Sequence, residues 1–346
     1  MNSSGNNRRH GKEMLYPEGR PVSERFVKTE SLPAGSVQVD TGSVMVLPAL
    51  EQEYRIIHEL SSGGTSVISL AEDRFLKRQV ALKSLSLQHC ADPKRRRAFI
   101  REAQLMAQLE HPSIVPVHGI ARDSSGGLHI IMKHVHGESL REYLKNLREM
   151  YAAKKLSRSA ERKSLHDRIE LFIRICDAVA FAHSKKVLHG DLKPGNIMIE
   201  HSHNIYLMDW GNASVMETHS EEVPLKDTIS GTPSYLSPEL VRGEYMDYRS
   251  EIFTLGLILF EMVTLRKAVT GKSAREILLK IRDGKRNPIR HRFGLPIAPQ
   301  LREIIKKSLH PSREQRYESV SRMAEGLRNY LASKQDLQEK TPDFSE

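Results

Sequence analysis

The apolar residues of this chain change period once, and that change limits the fold more than any other feature. Across 54–132 they fall in short runs rich in β-branched residues, at 54–60, 66–71, 79–84 and 128–132, parted by turn residues as strands are. One helix interrupts them at about 93–109, with Phe99, Leu105, Met106 and Leu109 on its apolar face and Glu110-His111-Pro112 as its breaker. After Gly137 the spacing becomes helical, most plainly at 166–183, where Ile169, Phe172, Ile173, Cys176, Val179 and Ala180 form one stripe. A short strand pair is expected at 187–188 with 197–199, then another strand at 205–208. The pattern predicts an α+β protein of two lobes: a small antiparallel sheet with one helix over 49–132, a connection at 133–137, and a larger, mainly helical lobe over 138–332.

The 346 residues, 39% hydrophobic and 28% charged, are ample for such a core and exclude a disulfide-stapled miniprotein. Residues 1–48 are polar and without period, so they read as a flexible arm, and 333–346 as a polar tail. The first residues lack the apolar run of a secretory signal. The most apolar stretch, 252–263, contains Glu261 and falls short of the roughly 20 residues a membrane span requires. It is expected as a buried helix, with no membrane span and a cytoplasmic location. Cys90 and Cys176 are expected as free thiols in reducing surroundings.

Three clusters carry chemistry. Leu60-Ser61-Ser62-Gly63-Gly64-Thr65-Ser66-Val67 is a turn of small residues between two strands. It reads equally as a hairpin or as a loop whose backbone N–H groups approach phosphate oxygens. Lys83, in Val80-Ala81-Leu82-Lys83, is a cation on an apolar strand and needs a counter-charge, for which Glu102 in the next helix is available. Finally, a polar loop containing His189-Gly190-Asp191-Leu192-Lys193-Pro194-Gly195-Asn196 sits between apolar strands, and Asp209-Trp210-Gly211 follows thirteen residues after Asn196. Phosphoryl transfer uses such a set: a carboxylate to orient a hydroxyl, a Lys to balance moving charge, and hard oxygens for Mg²⁺.

With these residues the chain resembles the eukaryotic-type Ser/Thr protein kinases, including their bacterial relatives, over about 54–331. His189-Gly190-Asp191 with Asn196 is similar to that family's catalytic loop, Asp209-Trp210-Gly211 to its Asp-Phe-Gly, and 80–83 to its β3 lysine motif. Gly231-Thr232-Pro233-Ser234-Tyr235-Leu236-Ser237-Pro238-Glu239 looks like the end of an activation segment, and Arg316 like the arginine that pairs with that Glu. The resemblance implies a two-lobed kinase fold, with ATP and Mg²⁺ as cofactors and Ser/Thr residues of proteins, its own included, as acceptors. By it Asp191 is the catalytic base, Lys193 the phosphate-contacting lysine, and Asn196 and Asp209 the metal ligands. Leu60, Ser61, Gly63, Gly64, Val67, Ala81, Lys83, Glu102 and Met132 then line the ATP site, with Met132 as gatekeeper and the backbone of 133–135 at the adenine edge. Two other functions stay open: a catalytically silent pseudokinase scaffold, and a small-molecule phosphotransferase of the aminoglycoside or choline kinase type, whose loop also contains His-Gly-Asp.

Four departures from the family pattern bear on function. Ser61 and Ser66 stand where glycines are usual, a cost of about 1 kcal/mol if either needs positive φ. Gly190 replaces the Arg that in many relatives meets an activation-segment phosphate, so activity is expected not to require phosphorylation of Thr228, Ser230 or Thr232 by that route. Trp210 replaces a Phe, and Glu251 an Asp that bonds the catalytic-loop backbone, leaving that contact open. The net charge of +10 is concentrated in 141–163, with eight Lys/Arg against three Asp/Glu, and 275–316, with twelve against four. Solvated helix faces explain this, as would acidic partners; no recognition motif accompanies them for nucleic acid, which is not expected as a partner. The first stretch includes an apparent insertion at 146–164. His201 and His203 read as exposed turn residues, and Ser23, Thr29 and Ser31 as linker residues.

Overall fold

A computed structural model describes residues 47–339 except 64, 155–157, 201–203 and 217–231, with backbone alone at 87, 158–163 and 334–339. Gly64, Ser23, Thr29, Ser31, His201, His203, Thr228 and Ser230 therefore lie outside what is described of side chains.

The first lobe is one antiparallel sheet of β1 (Tyr54–Ser62), β2 (Ser66–Asp73), β3 (Arg78–Leu85), β4 (Val117–Arg122) and β5 (Leu128–Lys133), in the order β1-β2-β3-β5-β4. Two four-residue helices, α1 (Leu50–Glu53) and α2 (Leu87–Cys90), flank it, and α3 (Pro93–Gln108) packs across it. Asp92 starts α3 by accepting from Lys94 N at 2.8 Å, and Pro93 occupies the first turn, where a missing N–H costs nothing. Phe99 and Ala103 of α3 pack with Leu85, Leu128 and Ile130 of the sheet. Leu47 packs on that cluster and Pro48 O accepts from Arg122 N at 2.9 Å, so residues assigned above to the arm touch the sheet.

The second lobe contains α4 (Leu140–Ala152), α5 (Arg158–Ser184), α6 (Pro238–Val241), α7 (Tyr248–Thr264), α8 (Ala274–Arg282), α9 (Pro299–Ser308) and α10 (Val320–Glu339). Every residue of α7 from Ser250 to Thr264 is buried, which is why that segment is apolar on all sides rather than along a stripe. Asp247 and Ser250 cap it reciprocally, at 2.8 and 3.2 Å. The last helix, α10, runs to Glu339, past residue 332, and packs along α5. Among the described residues no helix is long and apolar enough to cross a membrane, and Cys90 and Cys176 are both free.

Three expectations are corrected. The segments 187–188 and 197–199 do not pair: β7 (Val187–Leu188) joins β10 (Ser214–Val215), whereas β8 (Ile197–Glu200) lies between β6 (Gly137–Ser139) and β9 (Ile205–Leu207). Backbone bonding needs of such short strands are met by whichever edge is adjacent in space, which sequence order does not reveal. The strand β4, absent from the sequence reading, contains Gly119 and a register shift between Val117 and Gly119 that erases its alternation. The expected insertion at 146–164 is absorbed largely into the end of α4 and the start of α5.

Candidate active site

The site is assembled at the junction of the lobes by β3, α3, the loop after β7 and the turn after β9. In β3, Lys83 pairs in register with Ile68 on one side and Ile130 on the other, so its ammonium leaves an apolar sheet and must find charge nearby. It finds two carboxylates: Glu102 Oε1 at 2.6 Å, from α3, and Asp209 Oδ1 at 2.7 Å, from the other lobe, 126 residues away. Burial works against the Lys83 charge, but Glu102 and Asp209 together outweigh it and raise its pKa. The two acids share one cation unequally. Burial dominates at Glu102 and pushes it up, whereas burial of the more exposed Asp209 is outweighed by Lys83, which holds it below the usual carboxylate range.

Asp209 has φ 60°, a left-handed conformation uncommon for a residue with a side chain, and its Oδ2 has no partner among the described residues. Asn196 is fixed beside it, because its carbonyl accepts from Met208 N at 2.8 Å while its Nδ2 donates to Asp191 O at 2.9 Å and to Asp191 Oδ2 at 3.2 Å. Lys193 Nζ donates to the same Asp191 oxygen. That leaves Asp191 Oδ1 without a partner among the described residues. Besides Asp191 Oδ1, the oxygens left over are Asp209 Oδ2 and Asn196 Oδ1, one carboxylate and one carboxamide. Hard and few in number, with the Asp209 side chain half-exposed, they suit Mg²⁺, which keeps most of its shell for water and phosphate.

The loop backbone is held from below. His189 donates from Nε2 to Met208 O at 3.0 Å and accepts at Nδ1 from Asp191 N at 3.3 Å, which defines its neutral tautomer. Glu251 of α7 accepts from Gly190 N at 2.8 Å and from His183 Nε2 at 2.7 Å. The longer side chain thus makes the contact left open above and gains a second. Burial alone would raise the Glu251 carboxyl, but His183 and the Gly190 amide hold it down. His183 and Glu251 as a pair were missed by sequence reading, since they lie 68 residues apart on two helices; a His in the last turn of an apolar helix was the available signal. Trp210 is buried with its ring 4.5 Å from His189, and its Nε1 has no acceptor among the described residues.

The remaining predicted positions lie in the sheet above this group. Ala81 pairs in register with Met132, both buried, and Ser61 and Ser62 pair with Ile68 and Val67 at the end of the β1–β2 hairpin. Gly63 N donates to Ser66 O at 2.9 Å, and Leu60 is exposed. Neither Ser61 nor Ser66 has positive φ, so the glycine replacements carry no left-handed penalty. Further down the chain Arg316 meets Glu239 through two bonds, 2.7 and 2.9 Å.

A family model described as the protein kinase domain matches residues 54–327. The chain belongs to that family. Within it, the serine/threonine-protein kinase PknD of Chlamydia trachomatis serovar L2b is 32% identical over 303 residues, 81% of this chain and 32% of its own. PknD of Chlamydia pneumoniae is 30% identical over 297 residues, 81% of this chain and 31% of its own. The serine/threonine-protein kinase PrkC of Bacillus subtilis is 32% identical over 272 residues, 78% of this chain and 39% of its own. This chain thus spans about a third of the length of these Ser/Thr kinase relatives. Its sheet lobe and helical lobe are the two-lobed kinase fold.

Proposed function

We propose that this chain transfers the γ-phosphoryl group of ATP to Ser or Thr hydroxyls of proteins, itself included. The observation that carries the reading is the Lys83–Asp209 contact of 2.7 Å, which joins the sheet lobe to the catalytic-loop lobe at one point. Lys83 neutralises nucleotide phosphate, and Glu102 fixes its direction. Asp191, its Oδ2 occupied by Lys193 and Asn196, keeps Oδ1 free to orient the acceptor hydroxyl and take its proton. Lys193 balances the charge that develops on the moving phosphoryl group. Asn196 and Asp209 would hold Mg²⁺, which when bound supplies charge neutralisation to the phosphate oxygens. Leu60, Ser61, Gly63, Gly64 and Val67 cover the phosphates, and Ala81 and Met132 bound the adenine.

The kinase domain extends over about 47–339, since Leu47 and Pro48 touch the sheet and α10 runs to Glu339, and two free thiols suit a cytoplasmic setting. The buried Glu239–Arg316 pair anchors the end of the segment that presents protein substrates, and this favours proteins over small-molecule acceptors. The test incubates wild type and Asp191→Asn with labelled ATP, Mg²⁺ and a generic protein substrate. Transfer that depends on Asp191 is expected. ATP binding without transfer to substrate or self would point to a scaffold, and label confined to an added aminoglycoside or amino alcohol to a small-molecule enzyme.

A further inference from the structure

Four cationic side chains surround one cavity of about 630 Å³ in the helical lobe: Arg148 of α4, Arg266 and Lys267 just after α7, and Arg292. The carboxylate in its lining, Glu261, already accepts from Arg148 Nη2 at 2.5 Å and from Tyr235 Oη at 2.6 Å. A second cavity of about 520 Å³ shares Arg266 and Arg292 and adds Arg290 and Arg302, with no carboxylate in its lining. Among the described residues Arg266, Lys267, Arg290 and Arg292 form no ion pair. Soluble surfaces ordinarily intersperse the two signs; here one sign is concentrated in concave walls, which focuses its field.

The field reaches the interior. His291 lines the second cavity and is 5% exposed, with Nε2 lacking a partner among the described residues. Burial, then Arg168 and Arg266, push its pKa down to about 4. The walls are also fixed. Leu265 turns the chain at φ 56°, Arg292 N donates to Thr264 O at 2.8 Å, Asn287 N to Ala268 O at 2.7 Å, and Asn287 Nδ2 to Lys267 O at 2.9 Å. A preformed cationic recess binds anions without an ordering cost.

Its position says which anion. Tyr235 lines the small pocket that also contains Asp191 and Thr232, while its ring lies 5.8 Å from Lys267 Nζ and its hydroxyl rests on Glu261. Arg141 continues the cations toward the catalytic loop: a Cβ at Gly195 would come 2.4 Å from its Nη2. A polypeptide laid over Asp191 therefore passes along Arg141 and Tyr235 toward the recess. We propose that the recess receives Asp or Glu side chains of the protein substrate close to its acceptor Ser or Thr, making the enzyme acid-directed. This deepens, and rests on, the kinase reading above.

The test uses peptides with one acceptor Ser flanked by Glu, Ala or Lys, and an Arg266→Ala, Lys267→Ala variant, both side chains being exposed and outside the catalytic group. Wild type should favour the Glu peptide over the Ala peptide by about tenfold in kcat/KM, mainly through KM, as charge-complementary contacts do. In the variant that ratio should fall to about twofold or less, with use of the Ala peptide unchanged. A fluorescent Glu peptide with Ala at the acceptor position, followed by anisotropy, should bind wild type, release with added salt and bind the variant weakly. Equal use of Glu and Ala peptides, a preference retained in the variant, or tighter capture of a single-stranded oligonucleotide than of the Glu peptide would overturn the proposal. If no peptide and no self-label forms, the kinase reading fails, and the anisotropy comparison alone decides whether the recess is an acidic-peptide site.

Discussion

Arg316 and Glu239 meet fork to fork in the interior, Nη1 to Oε1 at 2.7 Å and Nη2 to Oε2 at 2.9 Å, with neither side chain reaching solvent. Arg316 also donates to the carbonyls of His310, Arg249 and Pro311, so its guanidinium is fully satisfied. Removing one partner leaves the other charge buried and alone. Arg316→Met should cost about 3–5 kcal/mol in urea unfolding, and adding Glu239→Leu to it should recover part of that loss.

Acid should act through the same pair. Burial opposes the Glu239 charge, but the Arg316 bonds prevail and bring its pKa from the ordinary 4.5 to about 2. A depressed carboxyl contributes stability that is complete above its unfolded value and is lost as pH falls from 4.5 towards 2, here about 3 kcal/mol. Unfolding free energy measured from pH 5 down to pH 2 should fall steeply in wild type and less so in Glu239→Gln.

Gly190 has φ +77°, and a Cβ there would lie 2.4 Å from Asn212 O, a backbone atom. Gly190→Ala should therefore cost about 1–2 kcal/mol from the left-handed conformation and the displaced carbonyl. Phosphoryl transfer should fall as well, since Asp191 is the next residue. Unchanged thermal stability in that variant would contradict the geometry.

With Gly190 where many kinases have an Arg, the loop before Asp191 has no guanidinium at 190 to receive a phosphate from the segment that contains Thr228 and Ser230. A Thr228→Ala, Ser230→Ala protein should keep transfer activity within about twofold of wild type. Loss of activity restored by acidic residues at those positions would show that another cation has taken over the role.

Trp210 is the chain's one tryptophan, and its buried Nε1 has no acceptor among the described residues. Trp210→Phe removes that unsatisfied donor but also volume, two effects of opposite sign. Stability should change by about 1 kcal/mol or less, as read by urea midpoint.

How much of this was legible in the sequence depended on whether a residue declared its own need for a partner. Lys83 on an apolar strand did, because its charge had to be met, and Glu102 and Asp209 meet it. The run 252–263 of α7, apolar but for Thr254, Gly256 and Glu261, did, because only an enclosed helix is apolar on nearly every side. The strand β4, written Val117-His118-Gly119-Ile120-Ala121-Arg122, did not: its register shift removed the alternation. Nor did β7 and β10, two residues each, whose pairing is decided by the chain around them. The stretch 146–164, expected as an insertion between helices, contains the end of α4 and the polar start of α5, whose lack of an apolar stripe hid the helix. The cationic recess was visible only as excess charge, because Arg148 reaches it from α4 and the others from turns more than a hundred residues later.

Glu251 fastens the Gly190 amide to a helix with no solvent-facing side. Breaking that bond requires the interior of the large lobe to open, so the hydrogen on the Gly190 nitrogen should exchange with deuterated solvent only as often as the whole lobe comes apart. Such slow exchange would sit one residue before Asp191, the group proposed above to take the acceptor's proton.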